Sequence, residues 1–275
     1  MINLESGSDI VADYNRIVIK VGTSTLTYGN GKLNLSGIER LSMVLSDIAN
    51  QNKDVVLVTS GAIGVGMSRL GFEERPSNIG LKQALAAVGQ GLLMQTYEKM
   101  FAEYGRIVAQ ILITREDIFL EDRSTNAINT FNALFKHNVI PIVNENDTIA
   151  TDEIKIGDND VLSAYVAKLI KADLLILLSD IDGLYDKNPA LEGAKLIKRV
   201  YSIDDSITGI AEDTSSILGT GGMRTKINAA RIAMENGIPM AIVNGNRPDN
   251  IYDIISGREA GTLFLTDGRC FLRKG

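Results

Sequence analysis

The segment Arg16-Ile17-Val18-Ile19-Lys20-Val21-Gly22-Thr23-Ser24 opens with an almost unbroken apolar, β-branched run and closes on a lysine, a glycine and two hydroxyls. Residues of that kind, apolar on both alternating faces, fit a strand buried on both sides, as in a parallel sheet. The close of the segment supplies an ammonium, backbone N–H groups and short donors, a set suited to phosphate. By itself it fits an ordinary strand-to-loop turn equally well. No GxxxxGK[ST] sequence occurs, so this is not a Walker A loop.

Outward from that strand the same grammar repeats. Residues 54–59 (DVVLVT), 106–113, 139–143, 174–178 and 238–243 are predicted strands, and residues 36–52, 81–104, 123–137, 161–171 and 223–236 are predicted helices. Ser36 with Glu39 reads as a capping box, Pro76 as a stop signal ahead of the long helix, and Gly237 as a helix-ending glycine. Apolar strands alternating with helices predict an α/β fold: a three-layer αβα sandwich around a central, mostly parallel open sheet. A soft boundary near Lys171 divides it into two lobes sharing one sheet, residues 15–171 and 172–268, behind a short N-terminal extension, 1–14.

Composition narrows the function. Apolar residues make up 45% of 275, enough for a large core. No apolar run approaches the roughly 20 residues that span a bilayer, and the acidic start carrying Glu5, Asp9 and Asp13 is no secretory signal. Cys270 is the only cysteine, which rules out an intrachain disulfide and fits a cytoplasmic setting. A net charge of −6 argues against nucleic acid or an anionic membrane as partner, but not against a small anion in a locally positive pocket.

Ligands of open α/β sheets sit beyond the carboxyl ends of the strands, so the residues following each strand carry the functional reading. After the second strand comes Ser60-Gly61-Ala62-Ile63-Gly64-Val65-Gly66, whose small residues permit close backbone approach; tight helix–sheet packing is the alternative. The densest polar stretch, NEND (144–147) with EIKIGDND (153–160), mixes carboxylates, amides and a lysine. That mixture recognises an amino acid's ammonium and carboxylate, although Asp160 also suits a helix cap. Late in the chain, Ser179 and Asp180 follow an apolar strand, and GTGGMRTK (219–226) is a glycine-rich turn entering a helix with a lysine in its first turn, as a polyphosphate requires. His137, the only histidine, ends a helix and reads as structural.

Together KVGTS (20–24), VTSGAIGVG (58–66), IPIVNENDTIAT (140–151), EIKIGDND (153–160), LLSDIDGLY (177–185) and GTGGMRTK (219–226) resemble the amino acid kinase family. Within it they resemble the members that phosphorylate the side-chain carboxylate of L-glutamate. The likeness covers residues 16–266. It implies ATP as co-substrate with Mg²⁺ carried on its phosphates and no metal ligands from the protein. It implies glutamate bound by Ser60, Asp147 and Asn159, with Asp147 pairing with the α-ammonium. ATP would contact Lys20, Ser179, Asp180, Thr220, Gly221, Gly222, Met223, Arg224, Thr225 and Lys226. Catalysis would fall to Lys20 and Lys226, held by Asp160, with Gly22 offering an N–H. The resemblance further implies the first step of proline biosynthesis, feedback inhibition by proline near the glutamate site, and a homodimer or homotetramer. Many such members continue into a C-terminal PUA domain, for which the residues after 268 leave no room. Ser179 stands where threonine is common and keeps the hydroxyl.

Other acceptors within the family, namely N-acetylglutamate, aspartate, carbamate or UMP, are the nearest rivals; an N-acetylated amine has no need of an acidic partner such as Asp147. A non-catalytic sensor would not require Lys20, Asp160 and Lys226 together. A dinucleotide oxidoreductase would place GxGxxG after the first strand, and Gly22-Thr23-Ser24 does not.

Overall fold

The computed structural model describes residues 14–149, 158–213 and 222–266. Its elements run β1 (Arg16–Val21), α1 (Thr23–Leu26), α2 (Leu35–Asn50), β2 (Asp54–Val58), α3 (Ala62–Leu70), α4 (Ile79–Ala102), β3 (Val108–Ile113), α5 (Arg115–Phe119), α6 (Glu121–Lys136), β4 (Ile140–Glu145), α7 (Asn159–Leu169), β5 (Leu174–Ser179), β6 (Arg199–Val200), α8 (Asp205–Asp213), α9 (Met223–Glu235), β7 (Met240–Asn244), α10 (Asn250–Ile255) and β8 (Thr262–Phe264). The strands form one sheet in the order β3-β4-β2-β1-β5-β7-β8-β6. The described pairings are parallel except β7 with β8. The fold is therefore the expected α/β sandwich, helices flanking a mostly parallel sheet. Strands from the first half of the chain occupy one side of the sheet, and those from β5 onward the other.

The two faces of the sheet are sorted by residue parity, because successive strand side chains point to opposite sides. Ile17 and Ile19 of β1, Val55 and Leu57 of β2, and Ile140 and Ile142 of β4 join one core, with Leu93 and Tyr97 of α4. Val18, Val56, Val58 and Val143 join the other, with Leu162 of α7 and Ile227 of α9. The next residues along each strand follow the same rule. Lys20 therefore falls on the α7/α9 side, while Thr59 and Asn144 fall on the α4 side. That parity decides which groups meet at the site.

Several expectations of local structure need correction. The first long helix is capped by Asn34, whose side chain accepts from the Gly37 N–H at 3.1 Å, rather than by a Ser36–Glu39 box. Asn begins competing hydrogen bonds as readily as Ser, and here the chain entering from Leu33 makes Asn34 the first helical boundary. Helix α7 starts two residues earlier than expected because Asp158, not Asp160, is its N-cap, accepting from the Asp160 N–H at 2.9 Å. Gly237 does close α9, with φ of +71°. The short α1, α3, α5 and α10 and the antiparallel β8 lacked enough periodic residues to register in the sequence.

The glycines of SGAIGVG do more than expected. Gly61 adopts φ of +93°, a left-handed conformation that disfavours any side chain. Gly66 packs helix against helix, not helix against sheet: a Cβ there would lie 2.0 Å from the Leu85 carbonyl oxygen, and one on Gly89 would lie 1.8 Å from that of Ala62. Helices α3 and α4 thus touch backbone to backbone, which draws α4 over the end of β2.

Candidate active site

β1, β2, β4, β5 and β7 run parallel, so their carboxyl ends line one edge. At that edge β1 delivers Lys20 to the α7/α9 face. Its Nζ stands 2.5 Å from Asp160 Oδ1 and 4.0 Å from Asp158 Oδ1. The other oxygen of the same carboxylate, Oδ2, receives Lys226 Nζ at 3.0 Å and the Thr225 hydroxyl at 3.1 Å. Asp160 is fully buried and both lysines nearly so. Two ammonium groups from opposite ends of the chain therefore share one carboxylate. Burial opposes ionisation of Asp160, but the adjacent charges of Lys20 and Lys226 outweigh it and hold the carboxyl below its ordinary range. Asp158 goes the other way: burial, reinforced by the charge of Asp160, raises it against the pull of Lys20. Gly22 lies beside this cluster; a Cβ there would stand 3.6 Å from Lys20 Nζ.

A second set of polar groups gathers at the same edge on the α4 side. The Asn159 side-chain NH₂, at the first turn of α7, donates to the Thr59 carbonyl at 2.6 Å, to Asn144 Oδ1 at 2.9 Å and to Ser60 Oγ at 3.1 Å. Three acceptors share two hydrogens, so one contact is bifurcated. Ser60 and Asn159 are thus neighbours, as the sequence reading requires. Asn144 Nδ2 in turn donates to Gln90 Oε1 of α4 at 2.8 Å. Asp147 lies half-buried in the turn beyond β4.

The remaining predicted contacts spread along the edge. Ser179 ends β5 and donates to Asp180 at 3.1 Å. Gly222 caps α9 without a side chain, leaving that helix N-terminus to backbone N–H groups. The Met223 side chain is buried in the same core cluster as Ile227, while Arg224 is exposed. Thr220 and Gly221 lie outside the described residues, as do residues 1–13, most of the extension. His137 sits exposed at the end of α6, away from the carboxyl edge.

Asp158, Asn144 and Gln90 were missed as individual site residues. Asp158 and Asn144 sit inside motifs that were recognised, and parity from the apolar strand positions places Asn144 at the edge. Gln90 is a lone amide within AAVGQGLL, and its only sequence signal is that a polar residue sits on the core face of a helix.

Among the described residues, no group of three or more His, Cys, Asp or Glu is placed to hold a metal ion, and no helix is long and apolar enough to cross a membrane.

Residues 15–244 match the amino acid kinase family, and the chain belongs to that family of phosphotransferases. At closer range it is similar to proteins named glutamate 5-kinase. That of Clostridium acetobutylicum is 57% identical over 93% of this chain and 96% of the relative. That of Caldanaerobacter subterraneus is 52% identical over 91% of this chain but only 68% of its own longer one. Among solved structures, carbamate kinase from Giardia lamblia superposes with a TM-score of 0.65 at 16% identity, covering 92% and 99% of the two chains. Isopentenyl phosphate kinase from T. acidophilum gives 0.64 at 20% identity, covering 90% and 99%. At such identities these two speak for the fold alone.

Proposed function

We propose that this chain transfers the γ-phosphoryl group of ATP to the side-chain carboxylate of L-glutamate, as its 49–57% identical relatives named glutamate 5-kinase do by name. The observation that carries the reading is the pairing of Lys20 and Lys226 on Asp160, at the same sheet edge as the Asn159–Asn144–Gln90 amides. Glutamate binds toward the first half of the chain, against Ser60, Asn159 and Asp147, and ATP toward the second half, against Ser179, Asp180 and the turn entering α9. Positive charge meets the phosphates between them.

In the step itself a carboxylate oxygen of glutamate forms a bond to the γ-phosphorus while the bond to the β–γ bridging oxygen breaks. The products are γ-glutamyl phosphate and ADP. The nucleophile is already ionised at pH 7, so no proton moves and no general base is required. This agrees with a site that has no histidine. Catalysis then depends on alignment and on neutralising charge. Lys20 and Lys226 supply the charge, Asp160 fixes both ammoniums before substrate arrives, and the Gly22 N–H adds a donor. Mg²⁺ shields the phosphates when bound. Asp160 is occupied by two lysines, so the ion would be held by the nucleotide's oxygens and water rather than by that carboxylate.

The acyl phosphate product is labile toward water, which suits prompt consumption in a following step; the likeness to glutamate 5-kinases extends the proposal to the first step of proline formation, inhibition by proline near the glutamate site, a cytoplasmic setting and a homo-oligomer. ADP release measured with glutamate, N-acetylglutamate, aspartate, carbamate and UMP in parallel tests the acceptor. Turnover with glutamate alone supports the reading, and preference for another acceptor overturns it.

A further inference from the structure

Helix α4 sends two polar side chains from one face to the strand ends. Tyr97 OH hydrogen-bonds Thr59 Oγ1 at 2.8 Å, after β2, and Gln90, two turns earlier, meets Asn144 at the end of β4. Both are buried in an otherwise apolar interface, where an amide is costly to keep unless it does something. The orientation of the amide chain is fixed at each end by backbone groups that can play only one part. The Glu145 N–H donates to Asn144 at 2.9 Å, so that atom is the oxygen, and the NH₂ of Asn144 must face Gln90. The Thr59 carbonyl accepts from Asn159 at 2.6 Å, so that atom is the nitrogen. Gln90 must therefore present Oε1 to Asn144, and its own Nε2 is left buried with no hydrogen-bond partner among the described residues.

We infer that Gln90 is a positioning residue for the amino acid substrate, holding Asn144 and through it Asn159 so that the Asn159 oxygen, an acceptor, faces the substrate's ammonium. This rests on the glutamate site proposed above. With no acceptor from Gln90, the Asn144 NH₂ is an unpaired donor in a position that is 2% exposed. Its relief is to rotate toward another acceptor, withdrawing the oxygen that now anchors Asn159. Stability is little affected, because the same substitution removes the orphaned Nε2 of Gln90. A residue retained for stability would show the opposite balance.

The test is a cycle of Gln90→Met, Asn144→Ala and the double variant, alongside the wild type. Gln90→Met is expected to raise the KM for glutamate roughly tenfold, equivalent to ~1.4 kcal/mol. The KM for ATP and kcat stay within about twofold and the melting temperature stays near the wild type. The double variant is expected to be no worse than Asn144→Ala, because both break one chain. An unchanged glutamate KM in Gln90→Met, or effects that simply add, would overturn the inference. Should Gln90→Met not fold, the wild type still decides: saturating glutamate must shift the side-chain amide resonances of Gln90, and no shift with glutamate bound overturns it. A wild type without glutamate turnover fails the functional proposal instead, which separates the two.

Discussion

Lys20 and Lys226 reach opposite oxygens of one buried carboxylate, that of Asp160, at 2.5 and 3.0 Å. Two like charges can stand this close in a dry setting only because the carboxylate lies between them. The two ammoniums and the carboxylate between them carry one net positive charge, offset in part by Asp158, 4.0 Å from Lys20. A phosphoryl group in flight carries the opposite sign. Preorganisation is thus built into the fold, and the cost of assembling it is met during folding rather than at the moment of transfer.

Removing Asp160 separates that role from simple stability. Asp160→Asn leaves two buried ammoniums facing each other and should destabilise the fold by about 3–5 kcal/mol, with turnover lost. Replacing all three by apolar residues, Lys20→Met, Asp160→Leu and Lys226→Met, should recover most of the stability and none of the activity. Urea denaturation and ADP release measure the two effects. A triple variant as unstable as Asp160→Asn would contradict the account.

Each lysine alone should matter to the chemical step. Lys20→Met and Lys226→Met are expected to lower kcat by roughly 10²-fold or more, the usual loss on removing one preorganised donor from a transition state. Steady-state kinetics at saturating glutamate and ATP show this. Near-normal kcat in either variant would remove that residue from the catalytic set.

Asp147 should act on binding. Asp147→Ala is expected to raise the KM for glutamate with a smaller change in kcat, since pairing with the α-ammonium is the same in ground and transition states. Collapsed kcat at unaltered KM would reverse the assignment.

Acid should expose opposite signs in the two neighbouring aspartates. Asp160 has a lower pKa folded than its ordinary 3.8, so the unfolded chain binds its proton first. Its contribution is complete well above pH 3.8 and is lost as pH falls from there through the lower folded value. Asp158 is raised above its ordinary 3.8, so the folded chain binds its proton first. Its contribution is present below 3.8 and is lost as pH rises through the higher folded value. Urea midpoints followed from pH 6 down to 3 should fall less steeply in Asp160→Asn than in the wild type, and more steeply in Asp158→Asn.

The glycine contact between α3 and α4 predicts a contrast. Gly66→Ala forces a methyl onto the Leu85 carbonyl and should destabilise by about 1–3 kcal/mol or more. Gly91→Ala, on the exposed side of α4 with nothing within 4 Å of its Cβ, should stabilise by about 0.5–1 kcal/mol. Thermal melts of the two variants compare them directly.

Much of this was legible in the residues themselves. The strand run from Arg16 to Val21 matched its sequence reading residue for residue, because β-branched content and apolar continuity both point to a buried parallel strand. The strand-end rule pointed to the segments that hold Lys20, Ser60, Asn159, Asp160 and Lys226, and the family resemblance singled out those residues. What stayed hidden depends on geometry that sequence encodes weakly. Helix boundaries shifted where Asn34 and Asp158 captured backbone N–H groups ahead of the expected caps. Gly66 looked like a ligand loop because tight backbone contact between helices and tight approach to a ligand demand the same residue. Gln90 went unread because its partner, Asn144, lies on a strand far along the chain.

The most direct test of carboxylate attack is an isotope transfer. Glutamate labelled with ¹⁸O in its side-chain carboxylate is incubated with ATP, Mg²⁺ and hydroxylamine, and the released phosphate is examined by mass spectrometry. Phosphate carrying one ¹⁸O, formed together with glutamyl hydroxamate, is the predicted result, since the bridging oxygen leaves with phosphorus when hydroxylamine attacks the acyl carbon. Unlabelled phosphate released along with ADP would mean that water, not the glutamate carboxylate, had attacked the γ-phosphorus.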